Sequence, residues 1–323
     1  MYQSGQNLSS LSDFEPVRKT FRFEALAGLQ DARKELPSKY FYDAIGSQLF
    51  EDICSLEEYY LTRIELGILR ANVAEIASLL GPNCLLIEYG SGSSTKVRLL
   101  LDALVEPAGY VAIDIAKDQL VRSAASLSAG YPGLEVLPIC ADYTSDFAFP
   151  QLSKSISQRV AYFPGSTIGN FDREPARRFL QQMAKVCKGG GLLIGVDLKK
   201  DAQILHRAYN DAQGVTAHFN LHLLERINQE LDGTFDLDRF SHYAFYHPGQ
   251  SRIEMHLVSL SQQVVRIGEA EIAFKLGESI WTESSYKYTI AEFAHLAATA
   301  GWALERVWTD PQQLFSVQYL RAI

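Results

Sequence analysis

The sequence of 323 residues is poor in several things, and each shortage excludes something. Its four cysteines, Cys54, Cys84, Cys140 and Cys187, are scattered and form no CxxC, so neither a disulfide framework nor a cysteine metal site is indicated. Its seven histidines form no HExxH or HxH pattern, and no metal is expected. Basic residues are outnumbered: 30 Lys and Arg stand against 38 Asp and Glu, a net charge of −8. A nucleic-acid partner calls for basic patches, so none is expected, although small anionic ligands remain possible. No apolar run is long enough to span a membrane, so no membrane partner is expected. With no signal-peptide pattern, a cytoplasmic protein with free thiols is the expectation. Repeats and low-complexity tracts are absent. The expected partner is a small molecule and the expected assembly a monomer.

What is present is enough apolar sequence for a core. Hydrophobic residues make up 47% and charged residues 21%, which suits one large domain or two of moderate size. Residues 1–15 are polar and are expected to fray. Residues 24–80 read as helical in three pieces, ALAGLQDARKEL, YDAIGSQLFEDICS and a long pattern from Thr62 to Leu80, with Pro37 between the first two. From Gly81 the rhythm changes to short apolar runs alternating with helical patterns. CLLIEY, YVAIDI, LEVLPICADY, RVAYFPG and GLLIGVDL read as strands, and Lys188-Gly189-Gly190-Gly191 stops the helix before the last of them.

Continuous apolar strands separated by helices indicate a parallel sheet covered on both faces, hence an α/β, doubly wound fold. After Lys200 the alternation stops. Residues 201–230 look helical, and HYAFYHP, SRIEMHLVSLSQQVVRI and EIAFKL alternate with period two, as antiparallel strands do. The rhythm resumes at TIAEFAHLAATAG, which opens with a Thr289–Glu292 capping box, and two further strands follow. The expected organisation is a sheet domain of residues 64–200 and 288–323, with a second α+β domain made of residues 1–63 and the insertion 201–287.

The turn Glu88-Tyr89-Gly90-Ser91-Gly92, at the end of the first strand, lets backbone approach a ligand closely. A P-loop needs glycine before the lysine, and Thr95 precedes Lys96. A dinucleotide fingerprint needs a third glycine where Thr95 stands, which disfavours NAD. The remaining acid-x-Gly-x-Gly pattern resembles the first motif of class I S-adenosylmethionine-dependent methyltransferases. Asp114 ends the second strand, 114 − 90 = 24 residues on, where an acid can accept ribose hydroxyls; it could equally cap the next helix. Asp142 and Tyr143 end the third strand, where an acid and a ring can hold adenine, or merely form a turn. Ligands of such sheets sit beyond the carboxyl ends of the strands.

The fourth strand runs into PGSTIGNF, a loop with Gly165 and Asn170, which reads as a helix entry or as a substrate-facing segment. Further along, KYFYDAIGSQLFEDICSLEEYYLTR, AYNDAQGVTAHFN and WTESSYKY supply tyrosines, a carboxylate and serines. Glu283 and Ser285 are two apart, so on a strand they share a face; a solvated strand edge would look the same.

Together these segments resemble the histidine-specific Nα-methyltransferases of ergothioneine biosynthesis, which convert histidine to its betaine, hercynine. FYDAIGSQLFEDI, LEEYYLTR, GSTIGNF, AYNDAQGVTAHFN, FDLDRF, RIEMHL and TES carry the likeness, from about Leu36 to the C-terminus. It implies a class I S-adenosylmethionine-dependent methyltransferase sheet beside a substrate domain. Gly90, Gly92, Lys96, Asp114, Asp142 and Tyr143 match cofactor positions. Asn170 and Tyr209 match the carboxylate-binding pair, Gly165 lies in the same loop, and Tyr59 matches a substrate contact. Tyr42 and Phe50 fall near the amino group, Glu283 and Ser285 match the imidazole pair, and Met255 matches a pocket wall. Tyr42 and Tyr59 are the expected catalytic residues. Leu61 replaces a usual proline, Tyr143 a common phenylalanine, and Trp281 beside the imidazole pair is unfamiliar. The alternatives are the same fold acting on another amino acid such as tryptophan, an NAD-dependent dehydrogenase, and a nucleotide-binding regulatory domain.

Overall fold

A computed structural model describes residues 8–14, 18–145, 147, 149 and 152–323. Residues 1–7 and 15, in the segment expected to fray, lie outside the described residues. A short strand β1 (Ser12–Phe14) precedes helices α1 (Arg18–Gln30), α2 (Ala44–Ser55) and α3 (Tyr60–Leu80). Strands and helices then alternate through β2 (Cys84–Tyr89), α4 (Thr95–Ala103), β3 (Gly109–Asp114), α5 (Lys117–Gly130), β4 (Val136–Ala141), β5 (Gln158–Phe163), α6 (Arg173–Val186) and β6 (Gly191–Asp197). Helices α7 (Ala202–Tyr209) and α8 (Val215–Leu231) lead to β7 (Phe240–His247), β8 (Arg252–Ser259), β9 (Gln263–Ile267), β10 (Ala270–Phe274) and β11 (Ser279–Tyr286). The chain closes with α9 (Ile290–Ala298), β12 (Trp302–Thr309) and β13 (Phe315–Ala322).

These elements form two units. The first holds residues 8–14, Leu61–Lys199 and Lys287–Ile323; the second holds 18–60 and Lys200–Tyr286.

The first unit is built on an eight-stranded sheet in the order β1-β4-β3-β2-β5-β6-β13-β12. Strands β2, β4 and β6 are buried along their whole length, which is why they read as unbroken apolar runs. β1 to β6 are parallel where they pair, whereas β13 runs antiparallel to both β6 and β12. The expected α/β class holds, with one antiparallel strand, β13, inserted between β6 and the edge strand β12. One expectation is corrected: residues 8–14 lie in this unit, not with the second. Ser12–Phe14 lies beside β4, with Ser12 opposite Ile139, because a three-residue strand is too short to show a period in the sequence. α9 opens with the expected capping box, Thr289 and Glu292 each bonding the other's backbone N–H. Among the described residues no helix is long and apolar enough to cross a membrane.

The second unit centres on a three-stranded antiparallel sheet, β11-β8-β7, with a separate β9–β10 hairpin. α8 buries Phe219, Asn220, His222, Leu223, Leu224, Ile227 and Leu231. α2 begins at Asp43, whose carboxylate accepts the Gly46 N–H over 2.7 Å. The first expected helix ends six residues early, at Gln30. The chain from Lys34 to Leu36 is extended instead and pairs with Trp281: Leu36 N–H donates to Trp281 O over 2.9 Å, and Trp281 N–H to Lys34 O over 2.9 Å. Strand pairing here outweighs the helical propensity of the segment.

Candidate active site

In the first unit, β2 ends in a turn whose φ angles are positive at Gly90 (75°), Gly92 (46°) and Ser94 (58°). Side chains are disfavoured there, and Gly92 has open space where a Cβ would stand, so its amide can be presented to a neighbour. That neighbour is Asp114 at the end of β3. Asp114 Oδ2 accepts Gly92 N–H over 3.0 Å, and Oδ1 accepts Ala116 N–H over 2.9 Å. Burial pushes the Asp114 carboxyl above the ordinary range, and the amides of Ala116 and Gly92 pull it back. Asp114 thus bonds the backbone at the approach to α5 and braces the glycine turn.

Lys96, in the first turn of α4, forms an ion pair with Glu65 of α3, a residue 1% exposed. Glu65 also accepts Gly165 N–H at 3.0 Å on each oxygen, so one carboxylate ties the turn after β2 to the loop after β5. Glu88, the acid of the motif, is buried at the end of β2 and bonded to the Tyr110 phenol. Burial raises its pKa to about 8, against the lowering effect of the Tyr110 hydrogen bond and of Lys96. Burial therefore favours the protonated form of Glu88 inside the sheet.

Asp142 Oδ1 accepts the backbone N–H of Thr144 at 3.0 Å and its hydroxyl at 2.5 Å, which is the turn reading of this position. Tyr143 packs its ring among Tyr89, Phe163, Phe171 and Phe179 and lies 3.9 Å from where a Gly90 Cβ would stand. The ring therefore borders the glycine turn. Asn170 ends a short 3-10 segment, Thr167–Asn170, as a half-buried residue.

The second unit gathers the other group of residues. Phe50 packs edge-on to Tyr42 at 5.7 Å and to Tyr59 at 6.2 Å, and Tyr59 edge-on to Tyr209 at 6.3 Å. Burial holds the Tyr59 phenol well above its ordinary pKa, with the phenol of Tyr209 adding to the shift, so Tyr59 stays a neutral hydroxyl. Tyr209 ends α7 and donates to Ser285 Oγ over 2.8 Å. Glu283 lies opposite Met255 of β8, and Met255 is 2% exposed. Within this unit the structure brings together Tyr42, Phe50, Tyr59 and Tyr209 through ring contacts, Tyr209 and Ser285 through a hydrogen bond, and Glu283 and Met255 as a strand pair.

Several residues at these sites escaped the sequence reading. Glu65 carries no motif of its own; it follows LEEYYLTR by one residue, and only the fold reveals its partners. Phe219 stacks on Phe41 at 4.4 Å and packs against Tyr42 and Phe50. Asn220 and Thr282, both inside quoted motifs, are buried and bonded to each other over 2.7 Å. His222 bonds Asp43 over 2.8 Å at the start of α2.

Comparison with known proteins agrees with this picture. The family described as "Histidine-specific methyltransferase, SAM-dependent" matches residues 21–322. A histidine N-alpha-methyltransferase of Mycolicibacterium smegmatis is 40% identical over 304 residues, 92% of this chain and 93% of that protein. One of Mycobacterium tuberculosis is 41% identical over 295 residues, 90% of this chain and 91% of that protein. Ergothioneine biosynthesis protein 1 of Neurospora crassa is 32% identical over 300 residues, 87% of this chain but 32% of that longer protein. The chain belongs to the family of S-adenosylmethionine-dependent, histidine-specific methyltransferases.

Proposed function

We propose that this protein transfers three methyl groups from S-adenosylmethionine to the α-amino nitrogen of L-histidine, giving hercynine in ergothioneine biosynthesis, as a cytoplasmic monomer. The observation that carries the reading is the polar group on β11: Glu283 opposite Met255, with Ser285 hydrogen-bonded to Tyr209. A neutral imidazole has one N–H donor and one bare nitrogen. Glu283 as carboxylate takes the N–H, and the Ser285 hydroxyl serves the other nitrogen.

The first unit fits the cofactor. Asp114 is fixed by backbone amides at the end of β3, where an acid can accept ribose hydroxyls. The turn of Gly90 and Gly92 lets backbone approach the amino acid end, Lys96 suits its carboxylate, and Asp142 and Tyr143 border the adenine. When bound, the cofactor supplies an activated sulfonium methyl.

The residues of this chain then have to present a neutral amine in line with that methyl. By the family likeness Asn170 and Tyr209 are the residues assigned to the substrate carboxylate, Tyr209 by turning its hydroxyl from Ser285. Tyr42 and Tyr59 accept hydrogen bonds from the amine and fix the direction of its lone pair. Tyr59, kept neutral by burial, works as a hydrogen-bond partner and not as a phenolate base. A peptide α-amino group has a pKa of roughly 8 and that of a free amino acid is somewhat higher, so a neutral fraction exists near neutrality; positioning is the main demand, and it can lower a barrier by about 7–11 kcal/mol in favourable cases. The methylated amine is a fixed cation, and aromatic faces such as Phe50 suit it by about 0.5–2 kcal/mol each.

The experiment is transfer of labelled methyl from S-adenosylmethionine to each of the twenty amino acids. Histidine is expected to be labelled up to the trimethyl form, with kcat/KM on tryptophan and phenylalanine lower by about 10⁴-fold or more. Transfer to another amino acid in preference to histidine would overturn the reading.

A further inference from the structure

β11 is not a regular strand. Trp281 pairs with His256, but the next pair is Glu283 with Met255, so Thr282 is an extra residue, and a bulge sits directly before Glu283. Bulges of this kind re-aim a side chain. This one is held from two directions. Thr282 Oγ1 lies 2.7 Å from Asn220 Oδ1 and 3.0 Å from Met255 O. On the other side the Trp281 indole N–H donates to Glu283 O over 3.0 Å. The indole is itself fixed, between Arg33 at 4.0 Å and Arg252 at 4.6 Å from its centroid.

Asn220 has no exposed surface, and its amide is fully engaged. Its Nδ2 donates to His256 O over 3.0 Å and reaches His242 Nδ1 at 2.9 Å. His242 Nε2 in turn lies 2.9 Å from Tyr209 O. With Asn220 donating to Nδ1, the proton of a neutral His242 is on Nε2, and it donates to Tyr209 O; burial favours that neutral form. One buried amide therefore joins the bulge before Glu283 to the backbone of Tyr209. A satisfied polar network of this kind fixes a single arrangement, since each unmade bond would leave a buried group unpaired.

We propose that Asn220 and Thr282 are positioning residues for substrate selectivity: the Asn220 clamp on the Thr282 bulge sets the aim of Glu283 and keeps it in register with Tyr209. The inference rests on Glu283 being the imidazole partner. A site built on aimed polar groups rejects a ligand that leaves them unpaired, and loosening the aim weakens that rejection. The clamp thus separates histidine from larger aromatic amino acids without touching the substrate.

The test compares wild type with Thr282→Val, which keeps the shape and loses the hydroxyl, and with Thr282→Ser, which restores the hydroxyl. KM and kcat are measured on histidine and tryptophan, with S-adenosylhomocysteine affinity and Tm as controls. Thr282→Val is expected to raise the histidine KM about tenfold, the usual effect of one neutral hydrogen bond, and to lower the histidine-to-tryptophan ratio of kcat/KM by at least as much. Thr282→Ser should return both towards wild type, and cofactor affinity should be unchanged throughout. Trp281→Phe, which keeps a ring and removes the N–H, gives a second reading from the other side of the bulge. An unchanged selectivity ratio in Thr282→Val and Trp281→Phe, or an equal loss on both substrates, would overturn the proposal. A wild type inactive on histidine would instead remove the imidazole reading. The clamp would then be judged by hydrogen exchange at the Ser284 and Ser285 amides, which must be faster in Thr282→Val for it to survive.

Discussion

The phenol of Tyr209 donates its proton to the hydroxyl of Ser285 over 2.8 Å. The family likeness assigns the two residues to opposite ends of the substrate, one to its carboxylate and one to its imidazole. The two hydroxyls share this bond, so a change at one alters the hydrogen bonding of the other. The losses from Tyr209→Phe and Ser285→Ala are therefore expected to be non-additive. In a double-mutant cycle on kcat/KM for histidine the coupling should be about 1 kcal/mol. Strictly additive losses would show that the bond plays no part in turnover.

Asp114→Asn concerns the cofactor alone. An asparagine must turn its NH2 towards Gly92 N–H or Ala116 N–H, both of which are donors to the present carboxylate. One of these contacts is lost along with the charge. S-adenosylhomocysteine affinity is expected to fall by about 1–3 kcal/mol, read by calorimetric titration of the folded variant. Unaltered affinity would take Asp114 out of the site.

Glu65 bears on both the turn and the loop of the first unit. Glu65→Gln keeps an acceptor for Gly165 N–H but removes the charge that holds Lys96. Gly195→Ala attacks the same carboxylate sterically, since its Cβ would stand 2.2 Å from Glu65 Oε1. Both variants are expected to weaken S-adenosylhomocysteine binding about tenfold or more, the scale of a charged hydrogen bond. A lower Tm with intact affinity in both would reduce Glu65 to a packing role.

His222 gives a pH prediction with a definite sign. Burial lowers its pKa, but hydrogen bonds to Asp43 and Glu225 outweigh this, and the net shift is upward from 6.5. A raised pKa means that the pair stabilises the fold fully below pH 6.5 and that this contribution disappears as pH rises through the higher folded value. His242 and His256 are shifted downward, mainly by burial, and work in the opposite sense, so the comparison must be a difference. The Tm gap between wild type and His222→Gln should shrink as pH is raised above about 6.5. A gap independent of pH would show that the ion pair is not formed.

The sheet of the first unit was largely legible because its strands are buried on both faces and its turns need glycine; β2 with Gly90 and Gly92 is the plainest case. β1 was not, being three residues long. Among site residues, legibility followed local pattern. Glu283 and Ser285 could be paired because two residues on a strand share a face, yet the bulge at Thr282 could not be read, since it depends on the register with β8. Glu65 and Asn220 act through partners far along the chain, Gly165 and His256 among them, and no local spacing announces such a contact. The tyrosines Tyr42, Tyr59 and Tyr209 were found only through the family likeness, because a tyrosine in an apolar segment is by itself ordinary core.

The position of β13 has a consequence for biogenesis. β6 is complete by Asp197, but the strand that covers its outer edge starts at Phe315. A ribosome therefore releases every residue of the second unit before that partner emerges. Throughout this interval β6 offers unpaired amides and carbonyls flanked by Leu192, Leu193 and Ile194, the kind of open edge that recruits other chains. A stop codon shortly before Phe315 would make that interval permanent. Such a truncated product, with its second unit fully synthesised, should accumulate in the insoluble fraction of expressing cells.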